Sequence, residues 1–266
     1  MPDAVQLNVQ TAAAILGGAP AAYQMIKLDP NNTCNLHCVY CHIPRSDEVI
    51  DLEVFRRFVS ERVLGLERFQ IGCIMEPTLD RRLSDFMEAV AESPARPRSV
   101  FRLQTNGLLL HRHDHARMAA AGLNLLTVSV DSVSAETHRQ LRDGASLNRI
   151  RRNIAAFREH CPAIGIQTMT TVTTANIDQV DDLIRWGLDS GVTRFELRQM
   201  FHRPDSDIVD HAAMRRLAVS DDAFAAMRER VLAAFGDAAA IFCYGADNLL
   251  ARATTVRANS LATAHD

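Results

Sequence analysis

No stretch of this 266-residue chain is apolar for long enough to cross a membrane. No long basic run appears, and the formal net charge is −3, which gives nucleic acid little to hold. Internal repeats, low-complexity tracts and Pro/Gly-rich linkers are all missing. Cysteine is too sparse, at six residues, to staple a disulfide scaffold. The opening MPDAVQLNVQ lacks a positively charged leader and carries Asp3, so a cytoplasmic location is expected. In that setting clustered cysteines point to metal binding or catalysis. What is present is ordinary for a globular chain: 47% hydrophobic and 23% charged residues, enough for a sizeable core in one large domain or two small ones.

Short apolar runs alternate with amphipathic ones, a pattern that predicts repeated βα units and a parallel sheet. Strands are expected at 23–28, 69–74, 99–103, 125–130, 164–172 and 192–197, with helices over 51–64, 80–91, 111–121, 147–160 and 177–190 between them. Ser134 is a candidate N-cap. After Arg198 the pattern weakens, leaving a helix over 221–235, a short strand over 240–244 and, at the end, a peripheral helix or a loose tail. The polar residues fall in register with the strands. Met75-Glu76-Pro77-Thr78 follows the second, Gln104-Thr105-Asn106-Gly107 the third, Asp131-Ser132 the fourth, Thr173-Thr174 the fifth, and Glu196 and Arg198 mark the sixth. In a parallel barrel these carboxyl ends carry the chemistry, so one polar mouth over an apolar barrel is expected.

The first strand runs into TCNLHCVYC, which holds Cys34, Cys38 and Cys41 at C-x₃-C-x₂-C spacing with no fourth cysteine nearby. Three explanations are open. Zinc wants four ligands, and His37 or His42 lies close enough to complete a site. A disulfide would leave an odd thiol. A four-iron cluster usually takes four thiolates, so three would leave one iron open to a substrate or cofactor.

This motif, with an aromatic residue before its last cysteine and placed after a first strand, resembles that of the radical S-adenosylmethionine (SAM) superfamily. The likeness extends over about residues 23–200. It implies an α/β fold, a partial (β/α)6 TIM-like barrel with a short C-terminal extension: 1–22 an N-terminal segment, 23–200 the barrel, 201–266 an extension without an auxiliary cluster motif. It implies a 4Fe–4S cluster on Cys34, Cys38 and Cys41, with SAM chelated on the open iron. An external one-electron reductant of flavodoxin or ferredoxin type would feed the cluster, and a 5′-deoxyadenosyl radical would remove hydrogen from the substrate. The competing expectation is a non-enzymatic zinc- or cluster-binding protein.

Residue by residue, Tyr40 matches the aromatic position packed near the adenine. Glu76 matches the acid of the family's Gly-Gly-Glu-Pro motif, which borders the SAM amino group, although Ile74 and Met75 replace the two glycines. Asn106 matches the third-strand segment. Ser129 and Asp131 match fourth-strand positions that bond the ribose or carboxylate, and Arg198 a sixth-strand arginine near the same groups. Thr171 and Thr173 flank the adenine region. His111, His113 and His115 read better as a solvated helix start than as a metal site. Cys73 reads as a core residue, and Cys161 belongs to no cluster motif. Cys243, if its strand docks at the mouth, is a candidate hydrogen donor to a substrate radical; a buried core cysteine is the alternative. Too few residues precede the first strand for a fused peptide-binding domain, so the expected substrate is a small molecule or a peptide delivered by a partner.

Overall fold

The computed structural model describes residues 4–8, 19–200 and 206–245. Its centre is an eight-stranded sheet in the order β1 (Ala4–Leu7), β2 (Ala21–Leu28), β4 (Val63–Ile71), β5 (Pro97–Thr105), β6 (Leu125–Ser129), β8 (Gly165–Val172), β9 (Arg194–Gln199) and β10 (Ala240–Tyr244). Every neighbouring pair is parallel. The six expected strands are therefore consecutive, and β1 and β10 extend the sheet at its two edges. The helices are α1 (Leu52–Glu61), α2 (Leu83–Ala91), α3 (His115–Ala120), α4 (Ala135–Leu141), α5 (Leu147–His160), α6 (Val180–Asp189), α7 (His211–Leu217) and α8 (Asp221–Phe235). None of the described helices is long and apolar enough to cross a membrane.

The two faces of the sheet differ because side chains alternate along a strand. Ile26, Leu28, Phe69, Ile71, Phe101, Leu103, Phe195 and Leu197 all lie on the outer face and are almost wholly buried. Phe69 meets Phe101 at 5.3 Å and Phe55 of α1 at 6.3 Å between ring centroids. A Cβ on Gly187 of α6 would stand 2.5 Å from the Phe195 ring, so only glycine lets that helix settle there. Each such aromatic contributes about 1.5–3 kcal/mol by leaving water. Lys27, Gln70, Arg102, Gln104, Thr127, Gln167, Glu196 and Arg198 alternate with these residues and face inward. The lumen is therefore polar, where an apolar one was expected.

Some boundaries differ from the sequence reading. Asp51 caps α1 by accepting from the Val54 N–H at 2.9 Å, as its position suggests. The helix then stops at Arg62, and β4 starts at Val63, six residues earlier than expected, because Val63 and Leu66 fill the core from the strand. The same strand ends at Ile71, short of Ile74, since Gly72 turns the chain at φ +79°. A Cβ there would sit 2.1 Å from the Gln104 carbonyl oxygen. Ser134 caps α4 through the Thr137 N–H, and α8 and β10 form where expected. β1, α7 and the two-residue ribbon formed by β3 (His37–Cys38) and β7 (Arg142–Asp143) were not foreseen. The expected peripheral tail lies outside the described residues.

Candidate active site at the carboxyl ends of the strands

The cysteine loop leaves β2 and is tied down at both ends by residues from other strands. Asn31 donates from Nδ2 to the Glu76 carbonyl at 3.0 Å, and the Glu76 N–H donates to the Thr33 carbonyl at 3.0 Å. Asn106 Nδ2 donates to Asn35 Oδ1 at 2.8 Å. Arg45 closes the loop from within, donating to the carbonyls of Cys34 and Leu36. At its far end the loop pairs antiparallel with β7, His37 opposite Asp143 and Cys38 opposite Arg142.

A second anchor is built on Asp131, which is 1% exposed. Its carboxylate accepts from Arg142 at 2.8 and 3.1 Å, from the Thr171 N–H at 3.0 Å and from the Tyr40 hydroxyl. The Arg142 guanidinium also lies over the Tyr40 ring at 5.6 Å and points one N–H at Cys38 Sγ, 3.9 Å away. Burial would lower the Arg142 pKa, but Asp131 outweighs it and keeps this side chain charged. Tyr40 also packs on the small cluster of Met200, Val209 and Met214, which joins α7 to the loop.

All three cysteines of the motif are free thiols. Cys38 is within electrostatic reach of Cys34 and Cys41, and Cys34 of Cys41. Burial pushes Cys34 up and Cys38 to about 11, with Arg142 opposing the latter in part. Among the described residues no three His, Cys, Asp or Glu side chains gather tightly enough to hold a single ion. Three thiols on one short loop, too spread to hold a single ion, suit a cluster that takes each thiolate on a different iron.

The remaining expected residues divide into two groups. Glu76 is buried, and burial raises its pKa against the hydrogen bonds that lower it. Its oxygens are occupied: Oε1 by the Thr78 N–H at 3.1 Å, the Thr78 hydroxyl and the Thr105 hydroxyl at 2.6 Å, Oε2 by the Asn106 N–H at 2.7 Å. Asn106 accepts from the Leu108 N–H as well as holding Asn35. Glu76, Asn106, Asp131 and Tyr40 thus build and brace the mouth. Ser129 differs, since its hydroxyl has no hydrogen-bond partner among the described residues, although it lies on the inner face at the end of β6. Arg198 pairs with Glu196 at 2.5 Å yet keeps 34% of its side chain exposed.

Cys243 requires a correction. It pairs in register with Leu197, on the outer face, and packs against the main core. Arg228 of α8 is its nearest electrostatic influence, and burial raises its pKa to about 11. It therefore faces away from the barrel mouth. Outside the motif, Cys73 is the thiol that follows a strand's carboxyl end, accepting from Gln70 Nε2 at 3.7 Å just past β4. Cys161 is core, with its Sγ on the His115 carbonyl. His113 and His115 are half-buried, not solvated: each holds a backbone carbonyl, of Thr78 and Leu110, at 2.9 and 3.0 Å. Thr173 is buried, its hydroxyl donating to Asn176 Oδ1 at 3.0 Å. Sequence reading missed Arg142, Arg45 and Asp29; the Asp29 carboxylate gathers the N–H groups of Cys73, Ile74 and Met75 at 2.8, 3.2 and 3.2 Å.

A parallel α/β sheet with a three-cysteine loop after an early strand and a polar lumen below it defines a cofactor-binding half-barrel. A sequence model described as the radical SAM superfamily matches residues 28–187, and the chain belongs to that family. Among curated proteins it is 25% identical over 178 residues to a GTP 3′,8-cyclase of Alkaliphilus oremlandii, covering 63% of this chain and 53% of the relative. It is also 25% identical over 218 residues to a pre-heme d1 synthase of Dinoroseobacter shibae, covering 79% and 52%. The chain thus spans about half the length of the curated relatives it matches. Streptococcus suis SuiB bound to S-adenosylmethionine shares the fold, with a TM-score of 0.63 at 15% identity over 85% of this chain and 50% of that one.

Proposed function

We propose that this chain is the catalytic barrel of a radical SAM enzyme, with Cys34, Cys38 and Cys41 holding a 4Fe–4S cluster and SAM bound beside it. The observation that carries this reading is one short loop of three free thiols after an early strand of a parallel barrel, with no fourth cysteine in the loop. When bound, the cluster and SAM supply one-electron cleavage of the sulfonium and removal of hydrogen from the substrate. The protein supplies position and dryness. Asp131, Arg142 and Tyr40 fix the Cys38–Cys41 end of the loop; Glu76 and Asn106 fix the other. Ser129 offers an unengaged hydroxyl to SAM, and Arg198 an exposed guanidinium suited to its carboxylate. The outer shell of Phe and Leu side chains keeps water from the sheet, while the polar lumen receives the substrate. That substrate is a small molecule or a partner-delivered peptide, and an external flavodoxin- or ferredoxin-type protein supplies the electron.

The test is anaerobic reconstitution with iron and sulfide, followed by reduction in the presence of SAM. A brown protein that releases 5′-deoxyadenosine, and a variant with Cys34, Cys38 and Cys41 all changed to Ala that does neither, is the expected pair of results. A colourless protein holding one zinc, with no SAM cleavage, would move the assignment to the non-enzymatic metal-binding alternative.

A further inference from the structure

The inner face of the barrel carries far more positive than negative charge. Glu196 is the one carboxylate on the inward positions of the described strands. Against it stand Arg102, which crosses the lumen to reach it at 2.9 Å, and Arg198 beside it on β9. Burial would raise the Glu196 carboxyl, but Arg198 and Arg102 outweigh it and hold its pKa at about 2. That carboxylate is therefore always charged at neutral pH and already shared between two guanidiniums.

Lys27 is left over. It lies on β2 in one register layer with Gln70 on β4 and Arg102 on β5. It is half-buried and has no hydrogen bond or ion pair among the described residues. Lys27, Arg102 and Arg198, from three separate strands, all act electrostatically on the Cys73 thiol, where the Asp29 carboxylate opposes them. The Asp29 carboxylate is already taken by three backbone N–H groups and by Gln6, so Lys27 is left without an ion-pair partner, and a cation half out of water is costly unless a ligand supplies one. The SAM carboxylate accounts for one guanidinium at most.

We infer that the substrate carries an oxyanion, a carboxylate or a phosphate, which docks on Lys27 and Arg102 within the lumen. This deepens the proposed function and rests on it for the identity of the site as a substrate site. Arg102 spends its Nε on the Thr127 hydroxyl and one Nη on Glu196, at 2.8 and 2.9 Å, so its remaining N–H groups, beside the point charge of Lys27, recognise either oxyanion. The oxyanion binds as a fixed handle, and the hydrogen to be removed lies elsewhere on the same molecule.

The experiment is calorimetry on the cluster-loaded, oxidised protein saturated with SAM, so that no turnover occurs and the SAM carboxylate has taken its own place. Inorganic pyrophosphate and citrate are the probes, one for each oxyanion source. Saturable binding of at least one is expected, weakened about 10-fold or more in Lys27→Gln and lost in Lys27→Glu, as befits one charge-assisted contact. The stronger of the two probes names the oxyanion class. Lys27 has no partner to lose, so Lys27→Gln is expected to melt no lower than the wild type. No binding of either probe to the wild type, or equal binding by Lys27→Gln, overturns the inference. Iron content and SAM cleavage are measured on the same preparation. If those succeed while the anions fail, only the oxyanion site falls; if those fail while Lys27-dependent binding persists, it is the radical SAM reading that falls.

Discussion

Replacing Arg142 with methionine should loosen the cysteine loop from the barrel. The guanidinium is 7% exposed, makes two hydrogen bonds to the buried Asp131 carboxylate, covers Tyr40 and approaches Cys38 Sγ. Methionine fills much of the volume but strands the Asp131 charge. Removing one partner of a buried pair costs about 3–5 kcal/mol. For a domain of this size that is a drop of roughly 6–20 °C in melting temperature, at about 2–4 °C per kcal/mol. Arg142→Lys retains the charge but not the fork and should fall between the two. Tyr40→Phe removes one hydroxyl bond and should cost only about 1 kcal/mol. Thermal unfolding of the metal-free protein by circular dichroism reads the stability; iron bound per chain after reconstitution reads the loop. An Arg142→Met protein that melts within about 2 °C of wild type and loads iron fully would refute the assignment of this residue as the loop's anchor.

Three further outcomes are expected. Glu76→Gln replaces an acceptor-only carboxylate with an amide whose NH₂ faces a donor, so it should destabilise the protein by about 1–3 kcal/mol in urea unfolding; an unchanged midpoint would contradict the saturated geometry. Ser129→Ala should leave stability alone and weaken SAM about 2- to 10-fold, measured by equilibrium dialysis on the loaded protein. Burial lowers the His138 pKa to about 4 from its ordinary 6.5, with Asp131 opposing in part. The folded state thus resists protonation that the unfolded chain accepts, so stability is full above about pH 6.5 and falls by roughly 3 kcal/mol on the way down to pH 4. Urea midpoints at pH 7 and pH 4.5 check this, and a flat profile would contradict it.

The six barrel strands were legible because each is a short apolar run bounded by turn residues. Their edges were less so. Val63–Glu67 continues the amphipathic pattern of α1, and only the packing of Val63 and Leu66 makes it strand. The four residues of β1 and the two-residue β3–β7 ribbon are too short to carry a period. The three cysteines announced themselves by spacing. Arg142 did not, since a lone arginine before Asp-Gly reads as a helix end; its meaning comes from a contact with Asp131, 11 residues back in the chain. Glu76 was found, but its four hydrogen bonds depend on where β5 lies. The face of Cys243 depends on register with β9, which alternation alone does not fix. The charge imbalance of the lumen was hidden for the same reason.

The most direct measurement is electron paramagnetic resonance of the reconstituted, reduced protein before and after SAM is added. A 4Fe–4S signal that changes shape when SAM arrives is expected, since an iron lacking a protein thiolate is the place SAM would meet. A signal indifferent to saturating SAM, or a protein whose three thiols share one zinc, would contradict it.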